Sequence, residues 1–158
     1  MGSVQIAVPG GSGLAMSALL AAAACIELVL TAVVDARERR FPHPLFVLLA
    51  ITCAALSLFL GGPSRLVRCA AMASMTCLLL MVFEITWHHM HNGRPGMGMG
   101  DIKYLFALSL WRPLEAMMSL TCGLVLLAAS CLVTHRESMP LLPFAVPVFA
   151  VAMVAFGG

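Results

Sequence analysis

From Leu14 to Val34 the chain runs through 21 residues with one charged side chain, Glu27. Coiled as a helix, such a run is about 31 Å long, which matches the hydrocarbon core of a bilayer. Comparable apolar runs recur at Leu45–Leu60, Leu66–Trp87, Leu114–Val133 and Leu141–Phe156. Charged residues make up 10% of the sequence, against roughly a quarter in soluble domains. The pattern predicts an all-α, polytopic membrane protein whose 158 residues leave little beyond short loops. With a net charge of +2 and scattered basic residues, the chain offers no electrostatic track for nucleic acid.

The punctuation between the runs sets their limits. Asp35-Ala36-Arg37-Glu38-Arg39-Arg40 closes the first span, and Pro42 and Pro44 forbid a continuous helix there while suiting the start of the second. Gly61-Gly62-Pro63 ends that one. A glycine-rich stretch from His88 to Gly100 separates the third from Asp101–Trp111, which is only about 16 Å long as a helix and too short to cross alone. Counting it as the fourth segment gives about six transmembrane helices, with Pro143 and Pro147 predicting a kinked or irregular start to the last. The six cysteines fall mostly inside apolar runs, without the two-residue spacing of a zinc knuckle or redox pair, and read as small buried hydrophobes.

Basic residues set the orientation. Loops one, three and five carry Arg37, Arg39, Arg40, Arg94, Lys103 and Arg136, while loops two and four carry Arg65, Arg68 and Arg112. The excess places the odd loops in the cytoplasm and both termini outside. The first 13 residues lack a basic region, and no cleavage site follows the first run, so it is expected to stay as a span.

Only two aspartates occur, Asp35 and Asp101, and this topology puts both at cytoplasmic ends of spans. A carboxylate near hydrocarbon costs several kcal/mol unless solvated or paired, so ionisable groups at that depth suggest function, although charges at the headgroup boundary occur without any. Gly98 and Gly100 would let the backbone take positive φ beside Asp101. Asp101 is expected at a helix N-cap that favours its ionised form, and Asp35 at the opposite pole of its helix, which disfavours ionisation. Two carboxyl groups pushed apart in pKa and sharing a proton are what water-activating peptide hydrolysis requires. This assigns Asp101 as base and Asp35 as the proton-bearing partner.

The run Asp35 to His43 resembles the first signature of type IV prepilin peptidases, an Asp followed six residues later by Ile-Pro-Asn, with Phe41 and His43 departing from it and Pro42 in register. Gly98-Met99-Gly100-Asp101-Ile102-Lys103 resembles their second signature, Gly-x-Gly-Asp-x-Lys, and Met139 to Phe144, with Pro143, is similar to the entry to their last span. The resemblance implies a single integral-membrane peptidase domain over residues 1–158, with Asp35 and Asp101 as catalytic pair. It would cut the leader from pilin-like precursors at the cytoplasmic face of a prokaryotic inner membrane, without metal or organic cofactor. Larger members methylate the new amino terminus and carry a domain with Cys-x-x-Cys motifs between the first two spans. Here only ten residues, Asp35 to Pro44, join them, which implies no methyltransferase activity.

Other features have plainer readings beside the functional ones. Glu27 lies about 12 Å deeper than Asp35 on the same helix; it either lines a shared cavity or is a hydrogen-bonded structural acid. Glu84 reads as interfacial or cavity-lining. The spacing of His88, His89 and His91 suits a solvated loop better than a metal site. Lys103 either holds a carboxylate charge beside Asp101 or snorkels to the interface. Arg37, Arg39 and Arg40 are topology determinants first, although Arg37 matches a basic position of the family motif. Met97 and Met99 could meet a substrate helix. The rival classes are a small proton- or cation-coupled transporter, which would depend on Glu27, and an inactive pilus-assembly scaffold, which would survive loss of both aspartates.

Overall fold

The computed structural model describes residues 11–38, 42–90, 98–134 and 141–156. Arg39, Arg40, Phe41, His91, Arg94, Met97, Arg136, Met139 and Pro140 lie outside the described residues, as do the termini, and so do the expectations placed on them. The described chain is all helical: α1 (Gly11–Glu38), α2 (His43–Met90), α3 (Met99–Ser109), α4 (Pro113–Thr134) and α5 (Leu142–Phe156). Of these five, α1, α2 and α4 are long and apolar enough to cross a bilayer. The count of about six spans is therefore not reproduced as six separate helices of that kind.

The second and third expected spans are the two helical arms of α2, which folds back on itself. Phe46 packs against Phe106 with ring centroids 6.3 Å apart, and the Cys77 thiol donates to the carbonyl of Ile102 at 3.7 Å. In a straight helix Phe46 and Cys77 would be about 46 Å apart, yet they meet residues one turn apart on α3. The reversal falls midway between them, at Gly61 and Gly62. Gly62 has φ 67°, a left-handed conformation that a side chain would strain, and the chain resumes helix at Pro63, where the missing N–H costs nothing.

α3 runs between the two ends of this hairpin. At its start Lys103 Nζ lies 3.2 Å from His43 Nδ1, and just past its end the Trp111 carbonyl accepts Arg65 Nη2 at 3.5 Å. The short fourth segment thus does not turn back within itself, and α4 begins at the hairpin's tip. α3 is also the most enclosed element: Tyr104, Leu105, Ala107 and Leu108 are fully buried.

Each surrounding helix buries a stripe at helical spacing: Leu49, Thr52, Cys53, Leu56 and Ser57 on α2, Ala116, Ser119, Leu120 and Gly123 on α4, and Leu142, Ala145 and Phe149 on α5. Small residues are frequent in these stripes, as expected where close packing rather than water exclusion joins helices. A Cβ on Gly123 would lie 3.0 Å from the Cα of Ala145, so α4 and α5 touch almost backbone to backbone. Outward-facing Ile26, Leu79, Val125 and Val151 are each more than half exposed, forming an apolar belt suited to lipid.

Candidate active site

The buried stripe of α1 carries Ala24, Glu27, Leu28 and Thr31 and reaches Asp35 at the next four-residue step. Asp35 is half-buried in the last complete turn, and its carboxylate accepts the backbone N–H of Leu142, the first residue of α5. That amide is free for it because the next donors, Phe144 and Ala145, both bond to the Leu141 carbonyl, and Pro143 has no N–H to offer. The negative end of α1 at Asp35 is therefore met by the positive end of α5.

Asp101 stands at the third position of α3, whose N-cap is Gly98. Its carboxylate reaches back to the Gly98 N–H, the reciprocal half of a capping box. The expectation of Asp101 as N-cap is corrected by three residues. So is the role given to glycine: Gly98 is extended at φ −70°, Gly100 is helical, and among the described residues only Gly62 has positive φ. Gly98 matters by its missing side chain, because a Cβ there would lie 3.2 Å from Asp101 Oδ2.

The charge of Asp35 acts on Asp101. Burial first, and then the negative charge of Asp35, push the Asp101 pKa up to about 6 against the single Gly98 N–H that lowers it. The expectation that a helix start would favour ionised Asp101 is overturned, since desolvation and a like charge outweigh one amide. α3 is too short to span, and this carboxyl lies at its entry, on the same end of the bundle as the start of α2 and α5.

The remaining sequence candidates separate into two sets. Pro143 sits beside Leu142 in the first turn of α5, and the Pro42 carbonyl accepts the Phe46 N–H to open α2, so both support helix starts at this end. The last helix begins regularly at Leu142 rather than irregularly and continues through Pro147. Lys103 points away from Asp101: two residues along a helix place side chains on nearly opposite faces, and Lys103 meets His43 instead. Met99, Lys103 and Phe106 share that far face, which borders an apolar groove of about 270 Å³ between α2 and α3. Arg37 is exposed in the last turn of α1. His88 and His89 are exposed in the last turn of α2 rather than in a loop, and Glu84 is half-buried one turn before them.

Glu27 has a structural partner. Its Oε1 accepts Thr52 Oγ1 at 3.0 Å, which joins α1 to α2 two turns from Asp35, and its carbonyl accepts Thr31 Oγ1 at 2.6 Å within α1. Two contributors to the site were not read from the sequence. One is the Leu142 amide, signalled only by the prolines around it. The other is Tyr104, the single tyrosine, three residues beyond Asp101 and fully buried.

Comparison with known proteins bears on the whole arrangement. The family model described as type IV leader peptidase family matches residues 22–154, which include Asp35, Asp101 and all of α2 to α4. No curated protein and no solved structure matches the chain.

Proposed function

The chain belongs to the type IV leader peptidase family, and on that premise we propose that Asp35 and Asp101 are an aspartyl dyad that cuts the leader from pilin-like precursors. The observation that carries this reading is the pairing itself: two carboxyl groups from separate helices, each held by the free amide at a helix start, and near enough for one charge to act on the other.

The division of labour follows from the environment of Asp101. A carboxyl that keeps its proton up to about pH 6 is the natural acid of the pair and donates to the scissile carbonyl oxygen. Asp35 accepts a proton from the attacking water, and the roles reverse as the tetrahedral intermediate collapses and the leaving amine is protonated. This inverts the assignment drawn from helix polarity alone. Because the groups titrate as a pair, a pH profile would report the dyad rather than either residue. Peptide hydrolysis by this route needs a wet pocket and no metal or organic cofactor.

On this reading the dyad works at the cytoplasmic face of a prokaryotic inner membrane, which the excess of basic residues on the loops at this end supports. A pilin-like precursor, an apolar helix behind a basic leader, would lie beside the bundle with its boundary peptide bond at that level. With ten residues between Asp35 and Pro44, the loop has no room for a methyl-transfer domain, so cleavage is the sole activity. Co-expression with candidate precursors tests the proposal by mass. The native chain releases the leader, while Asp35→Asn and Asp101→Asn each lower cleavage by at least about a thousandfold. Persistent cleavage by the double Asn form would overturn it.

A further inference from the structure

Tyr104 is fully buried, and its hydroxyl lies 3.2 Å from Ser119 Oγ, which in turn donates to the Ala145 carbonyl at 2.7 Å. The direction of the first bond follows by counting hydrogens. Ser119 has one proton and commits it to Ala145, so Tyr104 must donate to Ser119. The result is a directed chain, Tyr104 to Ser119 to Ala145, through three residues that are each fully buried and that come from α3, α4 and α5.

Both ends of this chain stand three residues from a dyad attachment. Tyr104 follows Asp101 by three positions on α3, on the same face of the helix. Ala145 follows Leu142, whose amide holds Asp35, by three positions on α5. Gly123, one turn beyond Ser119, fixes the middle: its close approach to Ala145 leaves α4 and α5 no freedom to slide past each other. We propose that Tyr104, acting through Ser119, is a positioning residue that sets the separation of Asp35 and Asp101 by locking the register of α3 against α5. The proposal rests on the dyad reading above. Neither hydroxyl is a proton carrier in the reaction; their task is to hold two backbones.

The test uses the full-length protein in detergent or vesicles with a cleavable precursor. Tyr104→Phe keeps the ring and removes the donor, and Ser119→Ala breaks the same chain from α4. Each should lower kcat roughly tenfold with KM little changed, and the double variant should be no worse than the poorer single one, because one chain is cut once. A carbodiimide that labels protonated carboxyl groups gives a second readout. As the carboxyl groups drift apart, the pH midpoint of Asp101 labelling should fall in both variants, since Asp35 then acts on it less. Unchanged kcat, or a loss of folded protein with the labelling midpoint unmoved, would reduce Tyr104 to a packing residue and overturn the proposal. If the Asn variants of the dyad still cleave, the failure lies with the dyad reading; if they are dead and both hydroxyl variants are normal, it lies here alone.

Discussion

The carboxylate of Asp35 accepts the backbone N–H of Leu142, joining the end of α1 to the start of α5 across 107 positions of sequence. A carboxylate at the negative pole of its own helix would be poorly placed in isolation. The free amide of a second helix offsets that cost, and Pro143 and the Leu141 carbonyl leave this amide unclaimed by the helix itself. Asparagine can accept the same N–H, so Asp35→Asn is a clean probe of charge rather than of folding.

Protonation of Asp101 should be visible directly. Its pKa of about 6 lies well above the ordinary carboxyl value, so carbodiimide labelling should persist through mildly acidic pH and fall as pH rises through about 6. Removing the neighbouring charge with Asp35→Asn should move that midpoint to lower pH. A midpoint that stays fixed would show that the two groups do not sense each other.

The same shift has a stability consequence whose sign is opposite to that of a salt-bridged carboxylate. A folded-state pKa raised above the unfolded one penalises the fold above pH 6, and the penalty disappears as pH falls toward the ordinary carboxyl value of 3.8. Asp101→Asn should therefore raise the thermal midpoint of the detergent-solubilised protein at pH 7.5, by an amount equivalent to about 2 kcal/mol after allowing for partial exposure, and change it little near pH 4.

Gly98 should tolerate no side chain without loss of rate. A methyl group there meets Asp101 Oδ2 at 3.2 Å, so Gly98→Ala displaces the carboxylate from the Gly98 N–H. We expect cleavage to fall roughly tenfold with the fold intact, measured as kcat against a thermal midpoint within about a degree of the parent. Gly100→Ala, inside the helix, should be the milder change.

Glu27 separates the peptidase from its transporter rival. Glu27→Gln keeps an acceptor for Thr52 Oγ1 and should leave cleavage near normal, whereas Glu27→Ala removes the side-chain bond between α1 and α2, leaves Thr52 with the Leu48 carbonyl alone, and should cost about 0.5–1.5 kcal/mol of stability. Ion flux in sealed vesicles that disappears with Glu27→Gln would instead favour transport.

Much of this arrangement was legible in the residues, and the gaps have physical causes. Apolar run lengths gave the helical class and most boundaries, because bilayer thickness leaves few alternatives. The hairpin in α2 was foreshadowed by Gly61-Gly62-Pro63, where two helical arms meet at a non-helical kink. Asp35 and Asp101 stood out because acids are scarce in this chain, and the charge of Asp35 reaches Asp101. Lys103 was misplaced beside Asp101 because adjacency in a motif was read as adjacency in space, against the 100° step of a helix. The ionisation of Asp101 was misjudged since helix polarity is visible in a sequence and burial is not. Contacts such as Tyr104 with Ser119 join three helices through ordinary polar residues, and nothing in their spacing marks them.

Because the amide that steadies Asp35 belongs to the final helix, a nascent chain can carry both acids into the bilayer long before they are poised to act. Ribosomal synthesis must reach α5 first. If the two acids act as the proposed dyad, assembly order supplies a built-in delay, since the site stays incomplete until α5 has joined the bundle.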